Sequence, residues 1–193
     1  MLEIHGWNDI VPVSGWRSLA EQQRIWDDSL RDNGPEFTRK YVAQPGHSEH
    51  HTGLAIDLGL KSDQIDFIRP AFPDSGVCRL FREKAAKYGF ILRYPAGKES
   101  ITGISHEPWH FRYVGVPHAG IMAENGLTLE EYIAFIRRYP YSHPLRYQTG
   151  QRRIAVSWRK CDGEQTVMEI PAAHPYTLSG NNVDGFILAE WSQ

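Results

Sequence analysis

The chain has 193 residues, with 21 Lys plus Arg against 23 Asp plus Glu and a net charge of −2. That length supports one substantial domain with a small appendage, and the balanced charge excludes a strong electrostatic footprint for nucleic acid or an anionic membrane. Its two cysteines, Cys78 and Cys161, lack any paired spacing, which excludes a cysteine zinc site and a disulfide framework. No stretch approaches the length of an apolar span and the N-terminus carries no leader pattern, so the expectation is a soluble cytoplasmic chain without a membrane segment.

Ile10 to Val13 is a short β-type run. Ser18-Leu19-Ala20-Glu21 then forms a capping box, which predicts a helix from about Leu19 to Asp32, stopped by Asn33-Gly34-Pro35. Its inward stripe reads Leu19, Gln22, Trp26 and Leu30. Gln22 is the odd member, and a polar side chain facing inward needs a partner.

Leu54 to Gly59 alternates, with Leu54, Ile56 and Leu58 on the core face and Ala55, Asp57 and Gly59 on the other. Asp57 therefore sits between two of the smallest residues, which should leave open space above its carboxylate. Residues 61 to 74 form a polar loop longer than most connections, as a lid or substrate-selecting segment would be. A helix follows from about Ser75 to Tyr88, with Cys78, Phe81, Ala85 and Tyr88 on one stripe and Gly89 at its C-cap, and then a strand from Phe90 to Tyr94.

Trp109 to Val114 is another strand, whose residues Trp109, Phe111 and Tyr113 share one parity and read as core. Pro117 to Glu124 and Leu129 to Tyr139 are helical, the second opened by the capping box of Thr128 and Glu131. Beyond this, Arg153 to Lys160 and Gln165 to Ile170 form a predicted hairpin across Asp162-Gly163, and Gly185 to Trp191 adds a third strand. The fold class is α+β, divided into residues 1–147 and a small antiparallel β appendage at 148–193 that is peripheral to the first domain.

A catalytic metal needs ligands that converge from different elements, an open position and a nearby base. His50 and Asp57 lie on either side of the Thr52-Gly53 turn, where a loop ligand can fold over a strand ligand. His110 follows Glu107 by three residues, and Pro108 between them favours a tight bend that brings both side chains to one site. Taken singly, each has an ordinary alternative: a surface histidine, a loop-capping aspartate, a glutamate paired with arginine.

Together they follow one pattern. Ser48-x-His50-x-x-Gly53-x-Ala55-x-Asp57, followed by Glu107-Pro108-Trp109-His110-Phe111-Arg112-Tyr113, resembles the D-alanyl-D-alanine carboxypeptidases of the VanY type and the VanXY dipeptidase/carboxypeptidases. Gly15-Trp16-Arg17-Ser18 with Gln22, Phe90 to Pro95, and Ile101 to Ile104 extend the likeness over roughly residues 10 to 139. The resemblance implies a small antiparallel sheet that carries one Zn²⁺ on His50, Asp57 and His110. It implies Glu107 as the catalytic base, Arg17 as the stabiliser of the developing oxyanion, and Gln22, Ser48, Trp109 and Tyr94 as substrate-binding residues. A single donor in Arg17's role lowers such a barrier by roughly 3 to 4 kcal/mol. His47 and His51 are left as bystanders.

The implied substrate is the D-Ala-D-Ala dipeptide or the D-Ala terminus of a peptidoglycan precursor peptide. Dipeptide and longer precursor stay undecided, as do a role in vancomycin resistance or ordinary cell-wall turnover and a monomer or homodimer. Two alternatives stand beside this expectation: an L,D-carboxypeptidase acting on tetrapeptide stems, and a zinc-containing module that binds cell-wall peptides without cleaving them.

Overall fold

The computed structural model describes residues 7–170 and 174–192. The chain divides into two compact units, Met1–Ala123 and Glu124–Gln193. Among the described residues no helix is long and apolar enough to cross a membrane.

The first unit is built on a four-stranded antiparallel sheet of β1 (Ile10–Ser14), β2 (Ala55–Leu60), β3 (Phe90–Tyr94) and β4 (Glu107–Tyr113), in the order β1-β2-β4-β3. Helix α1 spans Leu19–Tyr41, α2 spans Gly76–Ala85, a short α3 spans Glu99–Thr102 and α4 spans Val116–Asn125. Ile10, Leu58, Trp109 and Phe111 of the strands form one core with Cys78 and Ala85 of α2 and with Phe72. Phe72 meets Phe81 and Phe111 edge to face, at ring separations of 5.9 and 5.4 Å, the arrangement aromatic quadrupoles favour.

The expected start of α1 is found, with both halves of the Ser18–Glu21 capping box made. Its expected end at Asp32 is not. Gly34 turns the chain with φ 78° and a second helical segment follows to Tyr41, because a proline is tolerated in a first turn, where its missing N–H has no intrahelical acceptor. The inward stripe also shifts: Gln22, Ser29 and Thr38 are buried, while Leu19 is exposed. Ser29 and Thr38 answer each other across the kink by a 2.8 Å hydrogen bond.

In β2 the alternation holds for Leu58, but Leu54 lies outside the strand and is exposed. The space beside Gly59 is not open either, since a Cβ there would lie 3.1 Å from Val13 and 3.2 Å from Pro70. Helix α2 continues as a 3-10 turn, Ala86–Tyr88, to a left-handed Gly89 (φ 85°). A side chain at Gly89 would strike Tyr113 at 2.7 Å, so the position requires glycine on both counts.

The expected bend at Glu107-Pro108 is instead a bulge within β4. Leu92 pairs with Phe111 but Tyr94 pairs with Glu107, so a two-residue step along β3 answers four along β4. Pro108 has no N–H for a regular ladder, and the bulge brings Glu107 to the same face as His110.

The second unit contains α5 (Leu129–Ile136), again with a complete capping box, and a second antiparallel sheet of β5 (Leu145–Thr149), β6 (Arg152–Lys160), β7 (Tyr176–Gly180) and β8 (Gly185–Ser192), ordered β5-β6-β8-β7. Two expectations change here. The division at 147/148 falls inside β5, because α5 and β5 belong to this unit. The hairpin across Asp162-Gly163 does not form: β6 pairs with β5 and β8, while residues 165–170 carry no strand. Gly163 does adopt the left-handed turn conformation, φ 73°, but the segment after it finds no strand partner among the described residues.

Candidate metal centre

The opposed residues Asp57 of β2 and His110 of β4 are register partners and project to the sheet face away from α2 and the core. His50 reaches them from a 3-10 turn, Glu49–Thr52, capped by the Ser48 hydroxyl and ended by left-handed Gly53 (φ 70°). One ligand-type atom from each of His50, Asp57 and His110 lies within 4.8 Å of the other two, and all three side chains are buried.

Each imidazole has a defined orientation. His50 Nδ1 is 2.6 Å from the Gly15 carbonyl, which turns Nε2 toward Asp57 Oδ2 at 3.1 Å. His110 Nδ1 is 2.8 Å from Asp57 Oδ1, and its ring stacks on Tyr94 at 5.0 Å. Two imidazole nitrogens and a carboxylate, buried together, form a donor set suited to a divalent transition metal. Burial alone would raise the Asp57 pKa, but hydrogen bonds from His110 and His50 hold it well below the usual carboxylate range. A carboxylate kept ionised out of water is ready to receive a cation.

Arg17 occupies the junction between β1 and α1. Its Nε donates to Ser14 Oγ at 2.9 Å, Nη1 to Gln22 Oε1 at 2.9 Å and Nη2 to Asp57 Oδ2 at 3.0 Å. Gln22 thus has its partner, but it does not line the cleft: it is fully buried, and its amide donates to the Ala43 carbonyl at 2.7 Å. Its expected place in the substrate pocket becomes a place behind Arg17. His51 is no bystander either. Its Nδ1 is 2.9 Å from the Arg17 carbonyl and its Nε2 accepts from the Gly46 amide at 3.3 Å, which ties the Arg17 loop to the histidine turn.

Glu107 is buried beside this group, with Oε2 3.9 Å from His110 Nδ1. Burial pushes its pKa up to about 8; the positive charges of His110 and Arg17 oppose that rise, and Asp57 adds to it. A carboxyl that titrates near neutrality can both take and return a proton. Ser48, Tyr94 and Trp109 line the cleft. Trp109 also belongs to the core, so it serves as a fixed wall.

The long loop between β2 and α2 contributes Phe67 and Ile68 to the cleft. It is anchored, with Pro70 and Phe72 buried and the Arg69 guanidinium 5.0 Å over the Phe37 ring. A wall describes it better than a lid.

Sequence reasoning assigned no role to Glu49. Its Oε1 accepts from Arg93 Nε at 2.8 Å, and its Oε2 lies 3.3 Å from Arg112 Nη1 and 3.5 Å from His110 Nε2. The only local signal is its place next to His50; its partners come from two distant strands.

Comparison with known proteins agrees with this geometry. The chain is 54% identical over 125 residues, 64% of its length and 66% of the relative's, to the bifunctional D-Ala-D-Ala dipeptidase and carboxypeptidase VanXYC of Enterococcus gallinarum. It spans about half to two thirds of the length of the curated relatives it matches. Among solved structures it superimposes with a TM-score of 0.94 on the vancomycin-resistance D,D-dipeptidase VanXYg, determined with a D-Ala-D-Ala phosphinate analogue, at 55% identity over 96% of this chain and 74% of that one. A VanY D,D-pentapeptidase from a VanB-type resistance cassette, determined with Zn(II), is similar at TM-score 0.56 and 35% identity over 64% of this chain and 71% of that one. Residues 5–116 match the model of the VanY D-alanyl-D-alanine carboxypeptidases, and with a buried His50–Asp57–His110 cluster at the heart of that segment the chain belongs to the VanY family.

Proposed function

We propose that the chain is a zinc-dependent D,D-peptidase that hydrolyses the bond between two D-alanines, in the free dipeptide or at the end of a peptidoglycan precursor peptide. The observation that carries this reading is the convergence of His50, Asp57 and His110 in one cleft with a buried carboxyl, Glu107, and a fixed guanidinium, Arg17. Similarity to a relative named as a bifunctional dipeptidase and carboxypeptidase, and to a neighbour determined with a D-Ala-D-Ala analogue, supports the substrate class. The Zn(II) in a further neighbour supports the choice of metal.

His50 would present Nε2 to the ion, His110 Nδ1 and Asp57 a carboxylate oxygen. The ion supplies Lewis acidity that makes water nucleophilic near neutral pH. Glu107 accepts the proton of the attacking water as its oxygen bonds to the amide carbon, then delivers that proton to the departing amine as the C–N bond breaks. Arg17 places positive charge where the carbonyl oxygen becomes negative. Three of its five N–H donors are held by Ser14, Gln22 and Asp57, so its position is set before substrate arrives. Ser48, Tyr94 and Trp109 bound the space for a small substrate, with Phe67 and Ile68 beside them.

The test is a side-by-side assay of the zinc-loaded protein on D-Ala-D-Ala, on a stem pentapeptide ending in D-Ala-D-Ala and on the corresponding tetrapeptide. D-alanine release from either of the first two is expected. Release from the tetrapeptide alone would make the enzyme an L,D-carboxypeptidase, and no release from any would leave a binding module.

A further inference from the structure

We propose that Glu49 is a positioning residue: its carboxylate receives the Nε2–H of His110 and so leaves Nδ1, the nitrogen beside Asp57 and His50, as the one that gives its lone pair to the ion. This inference rests on the metal reading above.

A neutral imidazole carries one proton, so the nitrogen that binds a metal must leave that proton on the other. For His50 the other nitrogen is settled by the Gly15 carbonyl, at 2.6 Å from Nδ1. His110 is turned the opposite way round. Its Nδ1 faces the site, 2.8 Å from Asp57 Oδ1, and its Nε2 faces Glu49 Oε2 at 3.5 Å. His110 Nε2 and Glu49 Oε2 are both buried, and among the described residues neither has a hydrogen-bond partner. Two orphaned atoms that face one another, one a possible donor and one an acceptor, are a few tenths of an ångström from pairing.

The surroundings of Glu49 fix its role as acceptor. Arg93 of β3 donates to Oε1 at 2.8 Å, and Arg112 of β4 lies 3.3 Å from Oε2. Guanidinium donors thus face both oxygens of this buried carboxylate, which serves them as an acceptor. The same short turn thus delivers His50 to the centre and a carboxylate to the back of His110. Tyr94, stacked on His110 at 5.0 Å, sets the plane in which that ring meets Glu49.

The test measures zinc dissociation constants, by competition with a chromophoric chelator, for the full-length parent, Glu49→Gln and Glu49→Ala. Long-range nitrogen–proton NMR of the zinc-loaded parent reads the histidine tautomers in parallel. The parent should bind one zinc with the His110 proton on Nε2. Glu49→Gln should bind about 10-fold more weakly and Glu49→Ala toward 100-fold more weakly. Variants that bind within threefold of the parent would overturn the inference. So would a proton on His110 Nδ1, a reading that needs no variant and stands if the substitutions prevent folding. A parent that binds no zinc would overturn the metal reading itself, and the two failures are therefore distinct.

Discussion

The two sheets of this chain have four antiparallel strands each and contrasting interiors. The first buries Asp57, Arg93, Glu107 and His110, whereas the second buries Ile154, Val156, Ile187, Leu188 and Ala189 and, among the described residues, no charged side chain. Their regularity differs in the same sense. Register shifts occur between Pro12 and Ser14 and between Leu92 and Tyr94 in the first sheet, while every pairing of the second runs in unbroken register. Each buried ion costs several kcal/mol unless it is paired and hydrogen-bonded, and a bulge forgoes ladder hydrogen bonds. Where two sheets of one size differ this way, the irregular one is shaped by chemistry, and its shifts fall beside Ser14, which holds Arg17, and Glu107.

The sharpest way to break this contrast is to remove the shared anion of the first sheet. Asp57→Ala leaves Arg17, His50 and His110 facing each other without the carboxylate that contacts all three. Zinc content measured on the purified protein should fall to background and D-alanine release should be lost; a variant that keeps its zinc would remove Asp57 from the ligand set. Next in size is Glu107→Gln, which preserves shape but cannot accept a proton. Turnover should fall by roughly 10²–10⁴-fold with zinc content unchanged, and undiminished turnover would assign the proton transfer to another group.

The first sheet's chemistry was legible where it is local. Ser48, His50, Gly53 and Asp57 lie within ten positions and Glu107 to His110 within four, so turn and strand geometry could be read directly. Gln22 announced itself as a polar residue on an apolar stripe, yet its partner Arg17 was beyond reach of periodicity. Glu49 was opaque for the same reason: its environment is made by Arg93 and Arg112, which only the β3–β4 pairing brings to it. In the second sheet β7 escaped notice because its alternation, Tyr176-Thr177-Leu178-Ser179, is only four residues long, and all five of its residues are exposed. At Asp162-Gly163 the turn signal was real, but β6 is already paired on both edges, by β5 and β8, so no edge is left for Gln165 to Ile170.

Within the second sheet, Leu188 is fully buried on β8. Leu188→Ala should lower the denaturant-derived stability of the chain by about 2–5 kcal/mol through lost contacts and a residual cavity. Zinc affinity should stay within twofold. A matching loss of zinc would mean that the two interiors are energetically one, with no division of labour between the sheets.

The smallest effect separates the two kinds of orphaned polar atom. Ser157 of β6 is 1% exposed, pairs in register with Leu188, and its Oγ is buried with no hydrogen-bond partner among the described residues. At the first sheet such orphans, His110 Nε2 and Glu49 Oε2, face one another behind the proposed centre; Ser157 lies opposite Leu188 in a sheet whose buried residues are largely apolar, with no chemistry to serve. An unsatisfied buried hydroxyl carries a desolvation penalty of about 1–3 kcal/mol, and removing the oxygen gives up only a few dispersion contacts. Ser157→Ala should therefore be neutral or stabilising, by up to about 1 kcal/mol in chemical denaturation. That sign is opposite to the loss of function expected at Glu49. Destabilisation by more than about 1 kcal/mol would show that the hydroxyl is paired in solution, and the second sheet would then contain a polar network of its own.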